Sequence, residues 1–160
     1  YQYSCVCDEE GGITLILSAM KTHSSNFFVQ EVCCGTIFVL SYKNDKNRVM
    51  IADAGGIAMI LIAMKTHLSK AEVQEAVCRA LFVLPYNNDN NNTTIAEAGG
   101  ITTILMKTHS SNVDVQHYAG SITMILSAMK THLTNADVLL YGCAALWILA
   151  EYEDKKKNEE

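Results

Sequence analysis

The chain has 160 residues, 49% of them hydrophobic, a formal net charge of −5 and a single proline. This is enough apolar material to bury a core, and the near absence of proline favours helix throughout. No basic run exceeds Lys155-Lys156-Lys157, which argues against a surface tracking nucleic-acid phosphates, and no stretch approaches the roughly 18 apolar residues expected of a membrane span.

The sequence repeats itself. Met-Lys-Thr-His starts at Met20, Met64, Met106 and Met129, at intervals of 44, 42 and 23 residues, and Gly-Gly-Ile starts at Gly11, Gly55 and Gly99. A period of this length marks a stacked array. Residues 1–9 read as a degraded start, without the basic and apolar regions of a signal peptide and without an initiating Met, as in a piece of a longer chain. Repeats follow at about 10–47, 48–92, 93–120 and 121–153, then a charged tail at 154–160 that is expected to fray.

The first unit runs from Gly11 to about Tyr42, with no legible short opening helix. The second unit is the best formed. A short helix over about 48–54 ends at Gly55-Gly56, where a missing Cβ permits a sharp turn. The next helix, about 57–67, places Ile57, Ile60, Leu61 and Met64 on one buried face. The third, about 70–84, carries Val73, Val77, Ala80, Leu81 and Leu84 as its apolar stripe, with Ser69 and Glu72 as a capping box and Pro85 as its stop. The asparagine-rich stretch 87–92 reads as a solvated turn, and its Asn92-Thr93-Thr94 sequon means little without secretion. Thr94 and Glu97 are expected to cap the short helix that follows.

The third unit is irregular. Its second helix is two residues short, and its third, capped by Ser111 and Asp114, reaches only Tyr118 before Ala119-Gly120-Ser121-Ile122 opens the next unit. The last unit is regular again, with helices at about 122–132 and 135–151, the second capped by Thr134 and Asp137. Helices of this kind cannot bury their apolar faces alone, so stacking must do it. With no polar end repeat, an apolar face is expected at one or both ends, where self-association or a partner would cover it.

Cys34, Cys78 and Cys143 recur in phase and are expected to pack in the core as free thiols, implying a reducing compartment, cytoplasmic or nuclear. Cys5 and Cys7 form no second pair and make a weak metal signal. His23, His67, His109 and His132 also recur, but repeats stack on the order of 10 Å apart, too far for one metal ion. Lys and His at the end of a second helix suit its negative pole instead. His117 lies outside this series, with no evident partner. Glu31 and Glu75 read as a solvated groove edge, and Trp147 as packing. No nucleophile elbow, phosphate-binding glycine loop or zinc spacing occurs, so neither catalysis nor a cofactor is implied.

Ile-Ala-Glu-Ala-Gly-Gly-Ile at Ile95–Ile101, with Val73-Gln74-Glu75-Ala76 and Arg79-Ala80-Leu81, resembles the armadillo units of vacuolar-protein-like and importin-like proteins, over roughly residues 10–151. The resemblance implies an all-α right-handed superhelix, an α-solenoid of about three and a half repeats, whose third helices line a concave groove for proteins or extended peptides. In nuclear-import receptors of that family, a Trp and an Asn four residues later carry binding. Here the Trp place is held by Gly35, Arg79 and Ala144, and the Asn place by Val39, Val83 and Ile148. An aliphatic side chain cannot clamp a peptide backbone. The expected contact surface is therefore apolar: Gly35, Val39, Tyr42, Arg79, Val83, Tyr86, Ala144 and Ile148. A non-catalytic interaction scaffold is the expectation, with a structural piece of a longer array as its rival.

Overall fold

The computed structural model describes residues 11–86, 88–95 and 124–159, with side chains as far as Leu149. The described residues form eight helices and no strand: α1 (Gly12–Thr22), α2 (Phe27–Ser41), α3 (Asp45–Asp53), α4 (Gly56–Thr66), α5 (Ala71–Val83), α6 (89–95), α7 (124–131) and α8 (Ala136–Glu159). The tail expected to fray continues α8 as helix to Glu159. No single described helix is long and apolar enough to cross a membrane.

The apolar stripes read from the sequence face inward. Ile57, Ile60, Leu61 and Met64 of α4 and Val73, Val77, Ala80 and Leu81 of α5 are all buried, as is Leu84 just beyond. Helix α2 packs beside α5, and α5 beside α8, so the chain is an all-α solenoid in which each unit closes the core of the one before. The last unit stacks directly on the second, and its residues are buried in the second unit's pattern: Ile125, Ala128, Ala145 and Leu149 repeat Ile60, Ala63, Ala80 and Leu84. The irregular stretch 96–123, with its expected cap at Ser111 and Asp114, lies outside the described residues.

The two glycines of each pair differ in role. Gly11 and Gly55 have φ of 71° and 79°, the left-handed region, and cap α1 and α4. Gly56 is helical, but a Cβ there would lie 2.6 Å from Ile51 Cγ2 and 2.7 Å from the Ile51 carbonyl oxygen. The first turns the chain and the second admits α3 against α4.

Capping differs from the reading above. Lys70, not Ser69, occupies the N-cap of α5 and makes no side-chain cap. Asn26 caps α2, and Asn135 rather than Thr134 caps α8, its Oδ1 accepting from the Asp137 and Val138 amides at 3.0 and 3.1 Å. The backbone enters α5 and α8 one residue later than the hydroxyl pattern suggested.

The asparagine run is not a solvated turn. Asn88 caps α6, and Asn91 and Asn92 are buried within it. Asn91 Nδ2 donates to the Leu84 carbonyl at 2.8 Å and, reaching from α6 to α3, to the Arg48 carbonyl at 3.2 Å. Asn47 does the same for the Leu40 carbonyl at 2.9 Å, one period earlier. At Leu84 and Leu40 these amides satisfy carbonyls that a helix end leaves orphaned. Thr94 sits inside α6 and bonds back to Asn90, so it caps nothing.

Gly56→Ala should lower stability by about 1–3 kcal/mol in urea unfolding, the usual cost of overpacking. Gly35→Ala, where a Cβ meets nothing within 4 Å, should raise it by about 0.5–1 kcal/mol, because alanine is the better helix former. Equal effects at the two positions would refute the assignment of their roles.

Candidate functional site

Helices α2, α5 and α8 lie side by side, and Arg79 stands at the centre of their exposed face. Its guanidinium carbon is 4.5 Å from the centroid of Phe38 on α2 and 5.2 Å from that of Tyr141 on α8. One cation on α5 thus bridges two aromatic faces, on α2 and on α8. Its Nη1 lies 3.6 Å from Glu75 Oε1, one turn back on α5.

Glu75 is less solvated than its position suggested. Burial pushes its carboxyl above the ordinary 4.5, and the charges of Asp137 and Glu31 push the same way, while Arg79 opposes them without prevailing. This corrects the reading of Glu75 as a plain solvated edge. The acidic groups come from all three third helices, a convergence that no local motif displays.

A cleft of about 290 Å³ opens at the C-terminal ends of α2 and α5, lined by Tyr42, Lys43, Arg48, Phe82, Val83 and Tyr86. Lys43 follows α2 at a left-handed φ of 54°, and its ammonium lies 5.4 Å from the Tyr42 ring centroid. The Arg48 guanidinium lies 5.8 Å from that of Tyr86, pairs with Asp45, and donates from Nη1 to the Ser41 carbonyl at 2.8 Å. The two tyrosines are exposed at its rim. The cleft combines apolar walls with two cations.

Stacked three-helix units with a double-glycine junction and a shared face of third helices define a known repeat. Over residues 12–121 the chain matches the family model described as the LRRK2 ARM repeat. The chain belongs to the armadillo-repeat family. No curated protein and no solved structure gives a significant match. The matched stretch ends before α7, and the last armadillo unit is recognised by its place in the stack.

The expected groove residues are not equivalent in this armadillo array. Val39 is 65% exposed, but Val83, one period later, is only 5% exposed. Val83 faces Tyr42 and Lys43 of the preceding unit across the cleft, so an aspartate there would bury a charge and disturb folding as well as contact. Gly35, Arg79, Ala144 and Ile148 are partly covered, and Tyr42 and Tyr86 are open. Trp147 was expected to pack, yet it is 67% exposed, and Cys143 is exposed where Cys34 and Cys78 are buried. Both lie in the last unit, on a face that no described unit covers.

Phe38, Phe82 and Trp147, each one residue before an expected groove position, went unread as a series, as did Tyr141, Lys43 and Arg48. The aromatic recurrence was legible in phase; the Arg79 bridge was not. Two of the recurring histidines, His67 and His132, prove to be inter-repeat links. His67 Nε2 donates to the Ser24 carbonyl at 2.8 Å and His132 Nε2 to the Leu68 carbonyl at 2.9 Å, each reaching the preceding unit.

An acid whose pKa is higher folded than unfolded stabilises less as pH rises from the unfolded value through the raised folded value. Glu75→Gln should remove that decline. Urea midpoints measured across the carboxylate range should show a flatter profile for the variant than for the native chain. A steeper profile would show that the pairing with Arg79 outweighs burial.

Proposed function

We propose that this armadillo chain is a non-catalytic scaffold that holds a protein or peptide partner on the face formed by its third helices, through apolar and aromatic contacts rather than asparagine clamps. The supporting observation is the cleft walled by Phe82 and Val83 and rimmed by the exposed Tyr42 and Tyr86. Tyrosines at the edge of an apolar hollow are suited to anchoring a ligand, since they offer large area at small entropic cost. Gly35, Val39, Arg79, Ala144 and Ile148 extend the contact along the face. Lys43 at the rim favours a partner segment with an acidic residue beside its apolar anchor.

A second contact surface in this reading is the exposed side of the first and last described units, at Val32 and Leu126, where a further copy would bind. We place the protein in the cytoplasm or nucleus, a reading supported by the free, buried thiols of Cys33, Cys34 and Cys78. Burial raises all three, Cys78 to about 12, so they stay protonated and inert at neutral pH. The competing reading, a structural piece of a longer array, has no ligand of its own on this face.

Replacing Tyr42 and Tyr86 together by serine should weaken partner capture at least tenfold and leave far-ultraviolet circular dichroism unchanged, because both rings are exposed. Ile62→Ser, an exposed change on α4, should leave capture intact. Partner capture that survives loss of both tyrosines would rule out the cleft as anchor and favour the structural reading.

A further inference from the structure

Lys43 and Arg48 carry charges that the stack itself does not require. The repeat supplies the comparison, because one period on the same places hold Asn87 and Asn92. Arg48 donates from Nη1 to the Ser41 carbonyl at 2.8 Å, and Asn92 donates from Nδ2 to the Pro85 carbonyl, one period later, at 3.4 Å. A neutral amide therefore serves the same helix end. Lys43 is the odder choice. Its φ of 54° lies in the left-handed region, which asparagine tolerates and lysine rarely enters. The sequence puts the tolerant residue in the second unit and the cation in the first.

Both departures border the cleft between the first two units, and their charges are not equivalent there. Arg48 is buried and pairs with the exposed Asp45, so the two together are neutral. Arg48 Nε, also buried, has no hydrogen-bond partner among the described residues. Lys43 is exposed, rests its ammonium on the Tyr42 ring and makes no ion pair among the described residues. The cleft thus carries one uncompensated positive charge and one orphaned donor in its wall. A carboxylate matches both, with a single negative charge and two acceptor oxygens. A phosphate monoester, near two negative charges at neutral pH, exceeds the one free cation and would meet the Asp45 carboxylate beside it. The walls at Phe82 and Val83 and a volume of about 290 Å³ admit one aromatic side chain next to the acid.

We propose that the first junction selects a peptide segment in which a single unmodified Asp or Glu adjoins an aromatic residue, the carboxylate on Lys43 and the ring against Phe82 and Val83. This rests on the reading of the cleft as the contact site. It adds the charge of the occupant, excludes a phosphorylated one, and confines the selection to the junction where the asparagines of the repeat are replaced by cations. Complementary charge at such a rim sets which partner is accepted more than how tightly it is held.

The test is an NMR amide-shift titration of the whole chain with blocked peptides of one frame, Ser-Gly-Xaa-Phe-Gly-Ser, where Xaa is Glu, Gln or phosphoserine. Shifts should centre on Tyr42, Lys43 and Tyr86 and spare Trp147, which holds the place of Phe82 at the next junction. The Glu peptide should bind about threefold tighter than the Gln peptide, the scale of one part-exposed ion pair. That preference should vanish in about 1 M salt. Lys43→Asn installs the second unit's residue and relieves the left-handed strain, so the fold persists; this variant should bind both peptides alike. Equal binding of Glu and Gln peptides at the native cleft would overturn the charge selection and keep the cleft as contact site. Tighter binding of the phosphoserine peptide would overturn the single-charge assignment, and equal shifts around Trp147 the confinement to one junction. Cleft residues that respond to none of the peptides would overturn this inference and the contact reading together.

Discussion

Carbonyl groups at helix ends need donors, and this fold is arranged around supplying them from the next helix or the next repeat. Gln30 donates to the Met20 and His23 carbonyls at 3.0 and 2.9 Å, closing the turn between α1 and α2. Gln74 does the same for Met64 and His67, both at 2.9 Å. His67 then carries this satisfaction across the boundary between units. Apolar burial supplies the driving force, but it is non-directional. The amide and imidazole donors set the register at which one unit rests on another, since a slipped stack would strand buried carbonyls at about 1–3 kcal/mol each.

The exposed face of the third helices inherits its character from this stacking. Because α5 is flanked on both sides, its groove position Val83 is covered, while the equivalent Val39 on the end unit is open. The same crowding brings Glu31, Glu75 and Asp137 near one another and leaves Arg79 between two aromatic rings. The resulting surface has a cationic centre held by aromatic faces, an acidic flank, and an apolar cleft at one end. Under the proposed scaffold role, recognition there would depend on side-chain shape and local charge. Backbone clamping has no donor at the positions where related receptors are expected to have one.

The repeat, its period and its buried faces were legible because each depends on spacing, and spacing survives in a single sequence. Ile57, Ile60, Leu61 and Met64 needed nothing more. The caps were misplaced because Ser69 and Thr134 are good cap formers one residue away from where the chain turns, and propensity yields to the geometry of the stack. The asparagine run misled for a related reason. Asn91 looks like turn chemistry in isolation, and only alignment with Asn47 one period earlier shows it as a buried donor. Contacts between units, such as Arg79 with Phe38 and Tyr141, join residues about forty to sixty positions apart. No local pattern encodes them.

Between the second and the last Met-Lys-Thr-His the interval is 65 residues, against 44 between the first two, yet α8 lies directly on α5 as α5 lies on α2. Places in the solenoid and copies in the sequence are therefore separate quantities. The contact between the second and last units joins helices separated by a longer stretch of chain than the contact between the first two. Among the described residues, the regular spacing of the third helices is set by how helix packs on helix and not by the length of chain that joins them.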